Sequence, residues 1–95
     1  MKGYAYILNG KPVASETEKP QKNWKQDLSW YSYDRHDKEL KHWEQSCMEI
    51  QNAFVSDVIP NHIVVHYEDD AYPVNPGQPI EIEKTDKGCI VTKIL

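Results

Sequence analysis

A chain of 95 residues with 39% apolar and 27% charged side chains is expected to form one globular domain spanning residues 1–95, which excludes both a disordered segment and a multidomain protein. No apolar run approaches the roughly 20 residues that cross a bilayer, so no membrane role is expected. The net charge of −4 divides into +2 over residues 1–33 (five Lys, three acids), −3 over 34–59 (three bases, six acids) and −3 over 60–95 (three Lys, six acids). Such a chain has no concentrated basic face for tracking phosphates, so no nucleic-acid partner is expected, while a partner with a basic surface suits it.

Tyr4, Ala5, Tyr6, Ile7 and Leu8 read as a strand. The strand ends at Asn9-Gly10, the strongest short hairpin signal, because both turn positions need positive φ. That apolar run is also too short for an export signal, so a cytoplasmic chain with reduced Cys47 and Cys89 is expected. Lys11 to Ser15 returns as a strand, and Pro12, which lacks an N–H, predicts that it lies at an edge or pairs on one side only. Residues 16–23 are polar and interrupted by Pro20, hence a loop. Residues 24–33 predict a short helical turn and then an irregular aromatic segment.

Asp34 has the character of an N-cap. Leu40, Trp43, Cys47, Ile50, Phe54 and Val58 then follow at spacings of three and four, which predicts one amphipathic helix over about residues 35–58, ended by Pro60. His62 to Glu68 alternate as a strand, with Ile63, Val65 and Tyr67 on one face. Asp69 to Pro79, with three prolines, predict a loop containing a type II turn at Asn75-Pro76-Gly77-Gln78. Ile80-Glu81-Ile82-Glu83 is a strand with one buried face. Thr85 to Gly88 suit a hairpin loop with Gly88 left-handed, and Cys89 to Leu95 form the last strand. The predicted fold class is α+β. One amphipathic helix packs on the apolar face of a mainly antiparallel sheet of about four to five strands, in the order ββ-α-βββ.

Candidate chemistry is sparse. His36 beside Asp37 and Glu39 could move protons, yet charged first turns are ordinary solvated helix starts. His36, Glu39 and His42 drift around a helix, and His62 and His66 sit about 13 Å apart on a strand, so no metal site is expected. Cys47 lies about 16 Å along a helix from His36, too far for a nucleophile–base pair. Nucleotide-binding glycine motifs are absent, and no cofactor and no catalytic residue are expected.

Two features stand out instead. Trp24, Trp30, Tyr31, Tyr33 and Trp43 hold half of the ten aromatics within 20 residues, more than a small core easily buries. Trp43 belongs to the helix stripe, which leaves the other four as candidate contacts. Glu68, Asp69 and Asp70 could join Glu81 and Glu83 as a negative surface if their strands are adjacent. The expected function is that of a small acidic, non-enzymatic interaction protein of inhibitor, immunity or phage counter-defence type, binding another protein. Its binding residues would be Trp24, Trp30, Tyr31 and Tyr33, with Glu68, Asp69 and Asp70 steering. The alternative is a small-ligand or nucleotide-binding module in which the aromatic segment 24–33 stacks on the ligand and Arg35, His36 or Lys25 holds anionic groups. That alternative implies a homo-oligomer, because one domain this small rarely encloses a pocket of several hundred Å³. An enzyme using His36 ranks last.

Overall fold

The computed structural model describes residues 1–20, 38–56 and 62–95. The elements are β1 (Lys2–Leu8), β2 (Lys11–Ser15), α1 (Lys38–Ser46), β3 (Met48–Glu49), β4 (Ala53–Val55), β5 (Ile63–Tyr67), β6 (Asp70–Val74), β7 (Gln78–Thr85) and β8 (Gly88–Ile94). The α+β class holds, with three more strands than the sequence pattern implied. The expectations for residues 24–33, Asp34, Val58 and Pro60 fall outside the described residues.

The turns form where their residues demand them. Asn9 and Gly10 have φ of 52° and 76° and join β1 to β2, with Leu8 opposite Lys11. At Asn75-Pro76-Gly77-Gln78, the Gln78 N–H donates to the Asn75 carbonyl at 2.9 Å and Gly77 has φ of 86°, a type II turn. Gly88 departs from expectation. It is nearly extended at φ 158°, and neither Asp86 nor Lys87 has positive φ. Glycine is needed there for space, because a Cβ would collide with the backbone carbonyl of Glu49.

Two antiparallel sheets result, ordered β3-β2-β1-β7-β8 and β4-β5-β6. The two edges of the larger sheet meet. Ile50 forms a parallel bridge with Cys89, its N–H donates to the Pro12 carbonyl at 3.0 Å, and the Gln51 N–H donates to the Cys89 carbonyl at 2.8 Å. The Asn52 side chain then pairs with Val91 in both directions, accepting from its N–H and donating to its carbonyl, each at 2.8 Å. Residues 50–52 thus close the sheet into a ring and cover an edge that would otherwise be exposed.

Pro12 is therefore not on an edge: β2 is paired on both sides, to β1 and to the two-residue β3. The pair that closes a two-residue hairpin is the hydrogen-bonded kind, so Ile7 opposite Pro12 is the other kind. The missing N–H removes no β1–β2 bond, and the carbonyl serves Ile50. The same alternation explains β6, which replaces part of the loop expected after Asp69. Pro73 pairs with Val64 on the outermost strand of the smaller sheet, where its lack of an N–H breaks no ladder bond.

The core lies between the sheets. Ala5, Ala14, Ile80, Ile82, Cys89 and Val91 from the larger sheet meet Ile63, Val65 and Val74 from the smaller one, with Ile50 joining them. Each fully buried Ile or Val contributes about 1.5–3 kcal/mol. The apolar face expected to receive the helix is thus covered by a second sheet.

The helix packs on the opposite face and is much shorter than the spacing predicted. Trp43 meets Tyr6 edge-on, with ring centroids 4.9 Å apart, and Tyr6 points away from the side of β1 that holds Ala5. Leu40 and Trp43 are its buried residues. The helix ends at Ser46, whose hydroxyl donates back to the Trp43 carbonyl at 2.7 Å, and the Cys47 N–H takes the Glu44 carbonyl in a tightened last turn. Cys47, Ile50 and Phe54 are therefore not helical. Beyond Ser46 the apolar residues also fit period two, Met48 with Ile50 and Ala53 with Val55, and the extended form wins because it puts Ile50 at 2% exposure and offers its backbone to both β2 and β8. Phe54, on the other parity, is left half exposed and stacks on His66 at 4.8 Å.

Candidate functional site

A cleft of about 600 Å³ opens where β2 runs out beneath the helix. One wall is the chain leaving β2: Glu16, Thr17, Glu18 and Pro20. Its shape is set locally, because the Ser15 hydroxyl accepts the Thr17 N–H at 3.2 Å, a side-chain-mimicked turn. Two bonds to residues distant in sequence fix it to the body. The Trp43 indole N–H donates to the Thr17 carbonyl at 3.0 Å, and the Lys19 N–H donates to the Tyr6 hydroxyl at 2.9 Å. The helix supplies the second wall with Glu39, His42, Trp43 and Ser46, one face at helical spacing. Met48 and Lys84 complete the lining.

The charges are one-sided. Among the described lining residues, Glu16, Glu18 and Glu39 stand against Lys84. Three carboxylates and one ammonium give these acidic and lysine residues a net formal charge of −2. The Lys84 ammonium lies 3.0 Å from Glu16, and both side chains are about half exposed, so this ion pair is worth less than about 1 kcal/mol. Beside these charges lie the apolar surfaces of Pro20 and Met48, while Trp43 lines the cleft with only 3% of its surface exposed.

The cleft is not legible in the sequence as a site, since it draws on three sequence-distant stretches. In the sequence Glu39 and His42 carry metal or acid–base character, while Glu16, Thr17, Glu18, Pro20, Ser46, Met48 and Lys84 carry no motif. The one local signal is Ser15-Glu16-Thr17, a turn-forming pattern directly after a strand.

Of the residues expected to bind, Trp24, Trp30, Tyr31, Tyr33, Arg35 and His36 lie outside the described residues. Glu68, Asp69 and Asp70 are exposed at the tip of the β5–β6 hairpin, with Glu68 and Asp69 at φ 53° and 66°. Behind them Tyr67 and Tyr72 stack at 4.7 Å, and the Tyr72 hydroxyl donates to Asp70 at 3.5 Å. These acids do not join Glu81 and Glu83 through adjacent strands. The β5–β6 hairpin and β7 belong to different sheets. Glu81 instead sits across from Lys2 and Lys93, and its carboxylate takes the Met1 ammonium at 3.2 Å.

The thiols are poorly suited to nucleophilic work. Both cysteines are free. Burial, helped by the charge of Glu44 and opposed by a hydrogen bond from Ser15, pushes Cys47 up to about 11. Burial alone pushes Cys89 to about 11. At neutral pH both are protonated. Among the described residues no three His, Cys, Asp or Glu side chains group as a metal site, and no helix is long and apolar enough to cross a membrane. No protein-family model, curated protein or solved structure matches the chain.

Proposed function

We propose that this chain is a small non-enzymatic interaction protein and that a segment of its partner protein docks in the cleft. The observation that carries this reading is the cleft itself, with apolar surface from Pro20 and Met48 among polar lining residues, as binding sites are built. Two protonated thiols speak against nucleophilic catalysis and suit the reducing cytoplasm. The exposed acids at the β5–β6 tip would add long-range attraction for a positively charged partner. Trp24, Trp30, Tyr31 and Tyr33 complete the proposed contact set.

The test compares the full chain with His42→Trp, which places a bulky ring on an exposed helical position lining the cleft. A protein captured by the wild type and reconstituted as a purified binary complex should lose at least tenfold in affinity to the variant, about 1.4 kcal/mol. Equal binding by both proteins would remove the cleft from the interface. A second reading rests on the cleft volume, which falls within the range of small-molecule pockets without any oligomer. Thermal-shift screening against nucleotides separates the two. Stabilisation of several degrees by one compound, lost in His42→Trp, would move the assignment to ligand binding.

A further inference from the structure

We infer that residues 47–52 form a two-state strap. Closed, the strap seals the ring and lends Met48 to the cleft. Open, it continues α1 as helix, withdraws Met48 and uncovers β8 at Cys89. The inference goes beyond the docking reading and holds whether or not a partner enters the cleft.

The local chain favours the open form. No glycine or proline occurs between Lys38 and Ser56, so the sequence carries no stop signal at Ser46. Met48, Glu49, Gln51 and Ala53 are good helix formers, and glutamate is depleted in strands. Cys47, Ile50 and Phe54 prolong the stripe of Leu40 and Trp43 at helical spacing. The Cys47 N–H still bonds the Glu44 carbonyl at 3.2 Å, so helical winding reaches past Ser46.

The closed form is held by contacts that are few and distant in sequence. β3 has two residues and β4 three. Beyond the pairing of β3 with β2, the strap depends on the Ile50 bond to Pro12, the Gln51 bond to Cys89 and the Asn52 amide on Val91. Its apolar gain is divided, because Ile50 is 2% exposed and Phe54 50%. A segment whose local preference and tertiary contacts disagree opens at lower free energy than the whole fold. Met48 follows Ser46 by two residues, about 200° around a helix, so the open form turns it away from the face on which Glu39, His42 and Ser46 line the cleft. The cleft has its full lining only while the strap is closed.

Thiol labelling of the full chain with iodoacetamide, resolved by residue in a mass spectrometer, tests the strap. Cys89 is fully buried and its bridge neighbour Ile50 leaves with the strap, so its thiol reports opening. In low urea Cys89 should react roughly tenfold or more faster than global unfolding allows, at a rate that barely changes with urea. Asn52→Ala removes the amide from Val91 and installs a helix former. It should speed that labelling roughly fivefold to tenfold further and raise the helical signal in circular dichroism. Labelling of Cys89 only at the pace of global unfolding, with its full urea dependence, would overturn the inference. Faster labelling in Asn52→Ala without added helix would overturn it too. Should Asn52→Ala fail to fold, Gln51→Ala, which strips the Thr85 contact from an exposed position, takes its place.

Discussion

The seam at residues 50–52 and the tip of the β5–β6 hairpin follow opposite rules. At the seam, geometry dictates each residue. Ile50 must be extended to reach Pro12 and Cys89, Asn52 must carry an amide to pair with Val91, and Gly88 must lack a side chain to let Glu49 approach. At the tip, geometry is resisted. Glu68 and Asp69 take positive φ at the two positions that Asn9 and Gly10 fill in the β1–β2 turn, although Glu disfavours it and Asp tolerates it less well than Gly. The seam is composed for stability, and the tip keeps three adjacent acids that turn chemistry would not select.

The largest expected effect belongs to the seam. Gly88→Ala puts a methyl into the Glu49 backbone and should cost about 3 kcal/mol or more, measured by urea denaturation. Asn52→Ala should cost about 2 kcal/mol by the same measurement, because it strips both partners from Val91 and a further contact, at 3.3 Å, from the His66 carbonyl. If either change proves neutral, the ring is not held where the structure places it. The tip should respond with the opposite sign. Replacing Glu68 by Asn and Asp69 by Gly together should stabilise the fold by about 1 kcal/mol, since the pair then matches the Asn9-Gly10 turn and loses two like charges. A loss of stability there would mean that the acids hold the turn through contacts of their own.

The last effect, confined to alkaline pH, is a pH dependence at the seam. Folding raises Cys89, and Cys47 directly before β3, from 9.0 to about 11, so the folded state retains protons that the unfolded chain releases. This stabilisation is complete below about pH 9 and is lost as pH rises toward 11. Denaturation midpoints across that window should fall, and Cys89→Ala should flatten the slope.

Much of the fold was readable from the chain. Asn9-Gly10, the turn at Asn75 to Gln78 and the alternation of Ile80 and Ile82 each carry a local rule that the structure obeys. The long helix misled because Cys47, Ile50 and Phe54 sit at helical spacing while Met48, Ile50, Ala53 and Val55 sit at strand spacing. The choice between those periods is made by Pro12 and Cys89, nearly 40 positions away in either direction, and no local window contains them. The β5–β6 tip escaped for the reverse reason, since Glu68-Asp69 lacks the residues that mark such a turn. The cleft was least legible. Glu16, Glu39, Met48 and Lys84 become neighbours only once β2, α1, β3 and β7 are in place.

The seam also bears on how fast the chain can fold. The β1–β2, β5–β6 and β7–β8 hairpins join neighbours in sequence and can form early, on the microsecond scale typical of hairpins. The bonds between Asn52 and Val91 span 39 residues, and none of them can form until the loops between have been brought together. Ring closure is thus a late step, together with the pairing of β1 and β7, which spans more of the chain, and until Asn52 reaches Val91 the backbone of β8 remains open to strands of other molecules.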